Sequence, residues 1–397
     1  MIYFYRVVYA LAKVVCLVLK PALSLKMQAW LTLRSQQIQK TKSFENTYWF
    51  HASSGEIEYC KSVIRLLKIR QPKAQIVVTY SSPSAERLFY NITEFVDQFI
   101  ALPWDQPSVL KKLIDYINPH VLVFSKTDLW PELLTQAKKR NVKTGVISFN
   151  PSLNFLNTYF LSYLDFISCI DEDAKAKLIK IANLKSISAE GDTRFDQVFH
   201  RLEQVSKIGV STDSKILICG STWPEDEAVL FNAFAELISS GFKIILSPHE
   251  IAPENIERVQ KELQRRKFSF QHLSNQPEPA NIKMEKDILI IDKIGFLADA
   301  YRSADVAFVG GSFKDKIHSV MEPLCCGLPV ITGPHFLNNL EAVKFQNRFV
   351  FTVQNPTEAV SRIKQLLKLP KKEISDQMSQ NKNASEKVLN LVINSNV

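Results

Sequence analysis

Four short runs, Gly310-Gly311-Ser312, Ile317-His318-Ser319, Glu322-Pro323 and Gly327-Leu328-Pro329-Val330, follow an apolar stretch at 306–309 that reads as a buried strand. Two consecutive glycines after such a strand let the backbone approach a ligand closely. Residues 318–326 can then form a helix whose first amide N–H groups point at an anion, and a nucleotide phosphate suits that position. Glu322 falls one turn into this helix, where a carboxylate can accept two hydrogen bonds from the hydroxyls of a ribose. Gly327 ends the helix and Pro329-Val330-Ile331 starts the next strand.

A second group lies in the first half. His51-Ala52-Ser53-Ser54-Gly55-Glu56 follows a strand and leads into a helix expected to start near Ile57. Glu56 reads equally as a first-turn carboxylate favoured by the helix dipole and as a base. Its company favours the base: Thr79-Tyr80-Ser81-Ser82-Pro83-Ser84 and Ser125-Lys126-Thr127-Asp128-Leu129-Trp130-Pro131 end the next strands, so polar groups converge on one sheet edge. A carboxylate there could take the proton from an acceptor hydroxyl, the step an inverting sugar transfer needs. Ser221 and Thr222, just after a strand of the second half, are candidate phosphate ligands by position, with Gly310 and Gly311 beside them in the donor loop.

These groups need sheets to hold them. Short β-branched or aromatic runs at 48–52, 76–80, 121–125, 144–148 and 166–169, then at 216–219, 243–247, 288–291, 306–309 and 330–332, alternate with helical stretches. Such alternation predicts an α/β chain with parallel sheets covered by helices on both faces. At 397 residues and 46% apolar content there is material for two cores, since single cores stop growing at roughly 250–300 residues. The expected domains are 45–197 and 215–397, joined by a polar linker at 198–214 that shows no strand pattern. Ligands of open α/β sheets bind beyond the carboxyl ends of strands, which is where the residues above fall.

The net charge is +9, and residues 1–44 supply seven cations, Arg6, Lys13, Lys20, Lys26, Arg34, Lys40 and Lys42, with no acid. Arg6, Lys13 and Lys20 share one helix face, while Tyr3, Val7, Leu11, Val14, Val18 and Leu25 cover much of the rest. On either side of Lys13 the runs without charge or proline are six residues long, far short of the about 20 needed to span a bilayer. The segment reads as a basic amphipathic helix lying in a membrane interface, with a buried terminal helix of the first domain as the alternative. No signal-peptide pattern is visible. The six cysteines show no metal-ligand spacing and read as reduced core thiols, which implies a cytosolic face. His318 and His335 are too isolated to suggest a ligand set, so no metal or cofactor is expected. Outside 1–44 the positive excess is two, with no basic stripe interleaved with aromatics, which argues against nucleic acid.

The run from Gly310 to Val330 resembles the nucleotide-binding pattern of glycosyltransferases with two facing Rossmann-like domains, the GT-B type. With it, His51 to Glu56, Thr127-Asp128-Leu129-Trp130-Pro131, Gly191-Asp192-Thr193-Arg194-Phe195-Asp196, Gly220-Ser221-Thr222-Trp223-Pro224, Pro248-His249-Glu250-Ile251 and Ile294-Gly295-Phe296-Leu297 resemble the 3-deoxy-D-manno-octulosonic acid (Kdo) transferases of lipopolysaccharide assembly, over nearly the whole chain. The resemblance implies transfer of Kdo from CMP-Kdo to a lipid A precursor of the lipid IVA type. It also implies a peripheral or monotopic enzyme on the cytoplasmic side of the inner membrane. Glu56 then matches the general base, and Asp128 and Arg194 match an acidic and a basic residue assisting the transition state. Chemistry supports Arg194, because a fixed guanidinium can offset charge building on departing CMP, although Arg194 could instead bridge Asp192 and Asp196. The implied CMP contacts are Pro248, His249, Ile294, Gly295, Phe296, Ser319 and Glu322.

Several positions depart from the family's usual residues: His249 stands for Arg, Ile294-Gly295-Phe296 for Met-Gly-Glu, Ser319 for Asn and Lys126 for Glu, and Ser148-Phe149-Asn150 lacks an arginine. A histidine of pKa about 6.5 is not a permanent cation, which weakens phosphate binding at neutral pH. Another two-domain sugar-nucleotide enzyme, or a non-catalytic nucleotide- or lipid-binding relative, is therefore the alternative.

Overall fold

The computed structural model describes residues 1–36, 44–151, 159–180, 186–204 and 206–394. Lys40 and Lys42 of the basic segment lie outside them. The chain divides into two compact units, one of Met1–Gln197 with the residues from Asn381 on, the other Val198–Gln380.

In the first unit, seven strands form one sheet: β1 (Thr47–His51), β2 (Gln75–Tyr80), β3 (Gln98–Ala101), β4 (Pro119–Ser125), β5 (Lys143–Phe149), β6 (Phe166–Cys169) and β7 (Ile187–Ser188). Their order is β3-β2-β1-β4-β5-β6-β7 and every pairing is parallel. Alternate side chains feed two cores. Trp49, Val77, Leu122 and Phe124 enter one, and Tyr48, Phe50, Ile76, Val78, Val121 and Val123 the other. Each such side chain contributes about 1.5–3 kcal/mol by leaving water. β1 and β4 are neighbours although β2 and β3 intervene in sequence, so the chain reverses its winding direction between them. A sheet opens a ligand crevice at such a point.

β8 (Val210–Ser211) pairs with β12 (Ile282–Lys283) in a small ribbon. The second unit's main sheet has β9 (Lys215–Thr222), β10 (Phe242–Pro248), β11 (Phe270–His272), β13 (Ile288–Ile290), β14 (Val306–Val309), β15 (Val330–Thr332) and β16 (Val350–Thr352), again parallel, in the order β11-β13-β10-β9-β14-β15-β16. Its reversal falls between β9 and β14. Leu217, Cys219, Ile244, Leu246, Val306 and Phe308 pack against Leu230, Phe234 and Leu237 of the helix Pro224–Ser239, and against Ile363 of Pro356–Leu366.

The bounds differ from expectation at three places. The 198–214 linker is partly structured: the helix Arg194–Glu203 crosses its start, with Phe195 and Phe199 buried, and β8 lies near its end. The C-terminal helix Ala384–Asn394, expected in the 215–397 domain, joins the first unit. Val388, Leu389 and Val392 enter the first unit's core, and Asp196 accepts from the Asn383 and Ser385 amides at 2.7 and 2.6 Å.

The third difference concerns the N-terminus. α1 (Ile2–Val18) and α2 (Leu25–Arg34) dock partly on the first unit. Arg6, expected to face headgroups, instead forks onto the fully buried Glu132, Nε to Oε2 at 2.7 Å and Nη2 to Oε1 at 2.9 Å. Lys13 donates to Gln106 at 2.7 Å, and Tyr5 donates to Asp105 at 2.7 Å. Burial pushes the Asp105 carboxyl up to about 6. Tyr3, Phe4, Val7, Val8, Leu11, Val14, Val15 and Val18 on the other side of α1 remain exposed. No helix among the described residues is long and apolar enough to cross a membrane.

Candidate active site

The loop after β1 differs locally from the helix expected near Ile57. A tight 3-10 turn, Gly55–Tyr59, precedes a helix that begins only at Lys61. Glu56 sits half-buried in that turn. Its Oε2 accepts the Ser54 amide at 3.2 Å, while its backbone carbonyl takes the Ser125 hydroxyl at 3.0 Å. Oε1 has no protein partner among the described residues.

Asp128, after β4, is placed otherwise. Its Oδ2 accepts the Ser53 amide and its Oδ1 the Ser53 hydroxyl at 2.7 Å, with His51 Nε2 3.3 Å from Oδ2. Burial pushes the carboxyl up, but the His51 ring and the two Ser53 donors outweigh it and hold it below the ordinary aspartate value.

Arg194 opens the helix after β7. It pairs with Asp192, Nη2 to Oδ2 at 3.1 Å, and its guanidinium lies 4.4 Å from the Tyr59 ring centroid. Asp196 is turned to the C-terminal helix, so the expected alternative of Arg194 bridging two aspartates reduces to the Asp192 pair. The loop is tied down by Thr193, whose hydroxyl donates to the Tyr59 carbonyl at 2.5 Å and whose amide donates to Ser148 at 3.1 Å. Lys126, in the left-handed region at φ 57°, sets its ammonium 5.6 Å from the centroid of the same Tyr59 ring. Glu56, Asp128 and Arg194 thus share the carboxyl edge of one sheet. Sequence reasoning missed Tyr59, the aromatic plate under both cations, because nothing local distinguishes it from a core residue.

In the second unit the candidate nucleotide residues follow four adjacent strands: Ile294-Gly295-Phe296 after β13, His249 after β10, Ser221 and Thr222 at the end of β9, and Gly310-Gly311 after β14. Pro248 closes β10 and is buried, whereas Ile294 is 87% exposed. Gly310 is required by close approach, since a Cβ there would stand 2.2 Å from the Ser221 carbonyl oxygen. Gly311 is required by its φ of 91°.

The amides of Gly310 and Gly311 are not left for a ligand but bond within the protein. Gly311 N and Phe313 N donate to Asp226 at 2.7 and 3.1 Å, and Trp223 N donates to it at 2.9 Å. Burial pushes the Asp226 carboxyl up against these three donors. Nor do 318–326 form a helix throughout. The amides of Lys314, Asp315 and Lys316 fold back onto the Gly311 carbonyl, and the helix is only Met321–Cys325. Glu322 is half-buried, its Oε2 taking the exposed Ser319 hydroxyl at 2.5 Å while Oε1 has no partner among the described residues. Thr222 donates to Glu227 at 3.0 Å. The Ser221 hydroxyl has no partner among the described residues.

A ring stack, not foreseen, completes this edge. His249 stacks on Trp223 at 4.6 Å and on His318 at 4.3 Å, and the Lys314 ammonium stands 3.6 Å over Trp223. Trp223 Nε1 donates to His318 Nε2 at 3.0 Å, which places the His318 proton on Nδ1. Burial, then His249 and Lys316, push His318 down to about 4, and burial with Lys314 lowers His249 despite Glu250. The only available signal was Asp226, three residues after Trp223 at the start of a helix, a capping position. No group of three His, Cys, Asp or Glu able to hold a metal occurs among the described residues.

Two units of parallel sheet, each with polar residues gathered at a winding reversal, define a glycosyltransferase-like chain of the GT-B type. Among solved structures, a UDP-GlcNAc 2-epimerase from Neisseria meningitidis shares this fold with a TM-score of 0.62 at 14% identity, covering 88% of this chain and 99% of that one. A family model described as 3-deoxy-D-manno-octulosonic-acid transferase (kdotransferase) matches residues 30–197. A 3-deoxy-D-manno-octulosonic acid transferase of Chlamydophila psittaci is 30% identical over 312 residues, 72% of this chain and 69% of that protein. One of Aquifex aeolicus is 26% identical over 342 residues, 85% and 90% of the two. The chain belongs to the 3-deoxy-D-manno-octulosonic acid transferase family.

Proposed function

We propose that this protein is an inverting glycosyltransferase that moves Kdo from CMP-Kdo to the glucosamine disaccharide of a lipid A precursor, with release of CMP. The observation that carries this reading is the contrast between two carboxylates on one sheet edge of a chain in this family. Both Asp128 oxygens are taken up by Ser53, whereas Glu56 keeps one oxygen without a partner among the described residues. Glu56 is the base: it accepts the proton of the acceptor hydroxyl as that oxygen bonds to the anomeric carbon of Kdo. The bond from that carbon to the phosphate oxygen breaks with its electron pair leaving on CMP, and Arg194 offsets the growing negative charge. Pro248, His249, Ile294, Gly295, Phe296 and Ser319 contact CMP, with the spare Glu322 oxygen on the ribose and Ser221 on the phosphate. Where Arg is usual in the family, His249 offers stacking more than charge, given its lowered pKa. The exposed apolar side of α1 supports attachment to a membrane surface, which this reading assigns to the cytoplasmic face of the inner membrane.

The test is to incubate the purified protein with a lipid A precursor, Kdo, CTP and the activating synthetase and to weigh the product. One or more added Kdo masses is expected, and Glu56→Gln should slow transfer about 10²–10⁴-fold with CMP affinity unchanged. No added mass would sink the reading, and near-normal turnover by Glu56→Gln would return Glu56 to a helix-start role.

A further inference from the structure

His51 is fully buried at the end of β1, inside a relay that ends on the loop bearing Glu56. Trp49 Nε1 donates to Thr79 Oγ1 at 2.8 Å, and His51 Nδ1 lies 2.8 Å from the same oxygen. An indole N–H can only donate, so the single Thr79 hydrogen is left to point at His51 Nδ1, the one acceptor offered to it among the described residues. In the neutral ring the proton therefore sits on Nε2, which faces Asp128 Oδ2 at 3.3 Å. That contact lacks the alignment of a full hydrogen bond and acts as an electrostatic one. Asp128 passes the constraint on. It holds Ser53 through both amide and hydroxyl, and Ser81 donates to the Ser53 hydroxyl at 2.6 Å. Ser54, next in the chain, donates its amide to Glu56.

We propose that His51 is a positioning residue for transfer: held by Thr79 and Trp49, it fixes the Asp128 carboxylate against Ser53 and so the turn that presents Glu56. Asp128, on this view, acts through the loop and not on the substrate. The inference rests on Glu56 being the base. It is independent of which sugar is moved.

Full-length protein and three variants test it. His51→Leu fills the volume without a donor, His51→Gln keeps an N–H that can reach Asp128, and Thr79→Val removes the hydroxyl that sets the tautomer while preserving shape. Displacing a reacting group by about 1 Å costs on the order of 10²-fold, so His51→Leu should lower kcat about ten- to hundredfold with the KM for CMP-Kdo nearly unchanged. Amide exchange over 52–56, followed by mass spectrometry, should speed up in the same variant. His51→Gln should recover most of both losses, and Thr79→Val should show a smaller loss of kcat.

Wild-type kcat and exchange in a folded His51→Leu protein would overturn the proposal. Equal losses in His51→Leu and His51→Gln would also overturn it, since packing alone would then explain the ring. If His51→Leu does not fold, Thr79→Val decides, and unchanged kcat and exchange there refute the relay. Should the wild-type protein transfer no Kdo, the functional reading fails by itself, while the exchange of 52–56 still decides the positioning claim.

Discussion

Arg6→Gln should unfold the first unit at a markedly lower temperature, which separates the docked side of α1 from its exposed side. The Arg6 side chain is 23% exposed, but its partner Glu132 is fully buried and has one other side-chain donor, Gln136 Nε2 at 2.6 Å from Oε1. Removing the cation leaves a buried carboxylate uncompensated. Breaking a buried pair in this way costs about 3–5 kcal/mol, and the partial exposure of Arg6 lets water reach the gap, so the lower end, about 3 kcal/mol, applies. For a unit of this size that is roughly 6–12 °C in Tm. Trp30, Trp49, Trp104 and Trp130 lie in the first unit and Trp223 alone in the second, so tryptophan fluorescence follows mainly the right transition. Adding Glu132→Gln to Arg6→Gln removes the stranded charge and should return most of the loss. The exposed side behaves oppositely: changing Phe4, Val7, Leu11 and Val14, which are 69%, 60%, 63% and 59% exposed, to Ser should abolish flotation with phosphatidylglycerol vesicles at unchanged Tm. A Tm shift below about 2 °C in Arg6→Gln, or vesicle binding lost with Arg6→Gln and kept by the serine variant, would refute this assignment of the two sides.

Three further outcomes follow from the second unit. Glu322→Ala should weaken CMP binding by about 1–3 kcal/mol in calorimetry on a folded protein, since ribose hydroxyls lose a partly buried acceptor; unchanged affinity would remove Glu322 from the nucleotide contacts. Asp226→Ala strands the amides of Gly311, Phe313 and Trp223, so the second unit should lose several kcal/mol in urea unfolding, of the order of 1–3 kcal/mol per orphaned donor, and a loss below about 1 kcal/mol would contradict the caged-carboxylate geometry. His318 titrates near 4 when folded and near 6.5 when unfolded, so between these values the unfolded chain binds more protons and the stability that neutral His318 provides is lost as pH falls. His318→Gln, which can still accept the Trp223 N–H, should flatten the fall in Tm from pH 7 to 4.5, and an identical fall in both proteins would exclude His318 as its source.

The strands were legible where apolar residues ran unbroken, as at 121–124 and 306–309, because a strand buried on both faces needs apolar residues on both. β3, at the sheet edge, escaped notice: Gln98 and Phe99 are only partly buried there, so no apolar run is needed. The destination of the C-terminal helix was not written locally. Its apolar stripe of Val388, Leu389 and Val392 would suit either sheet, and the choice is made by Asp196 and Arg70, far away in sequence; Arg70 pairs with Glu386. At the N-terminus a seven-residue spacing correctly put Arg6 and Lys13 on one face. Periodicity could not say that this face meets Glu132 and Gln106 instead of lipid headgroups.

The candidate sites show the same limit in chemical form. An acid beside a glycine- or serine-rich turn after a strand looks alike in sequence whether it serves a ligand or the protein's own backbone. Asp226 gathers three amides of its own chain, and Asp128 gathers Ser53, so each does with protein donors what a bound anion or substrate would otherwise do. What separates the two kinds is the count of oxygens left over. Glu56 and Glu322 each have one oxygen accepting from a nearby serine and another without a partner among the described residues. Carboxylates with an oxygen to spare can readily accept a proton or a hydroxyl, whereas those with both oxygens engaged hold their loops in place first. Acid-to-amide exchange therefore separates the two kinds: at Asp128 and Asp226 it should disturb loop order, and at Glu56 it should leave the loops intact and remove turnover.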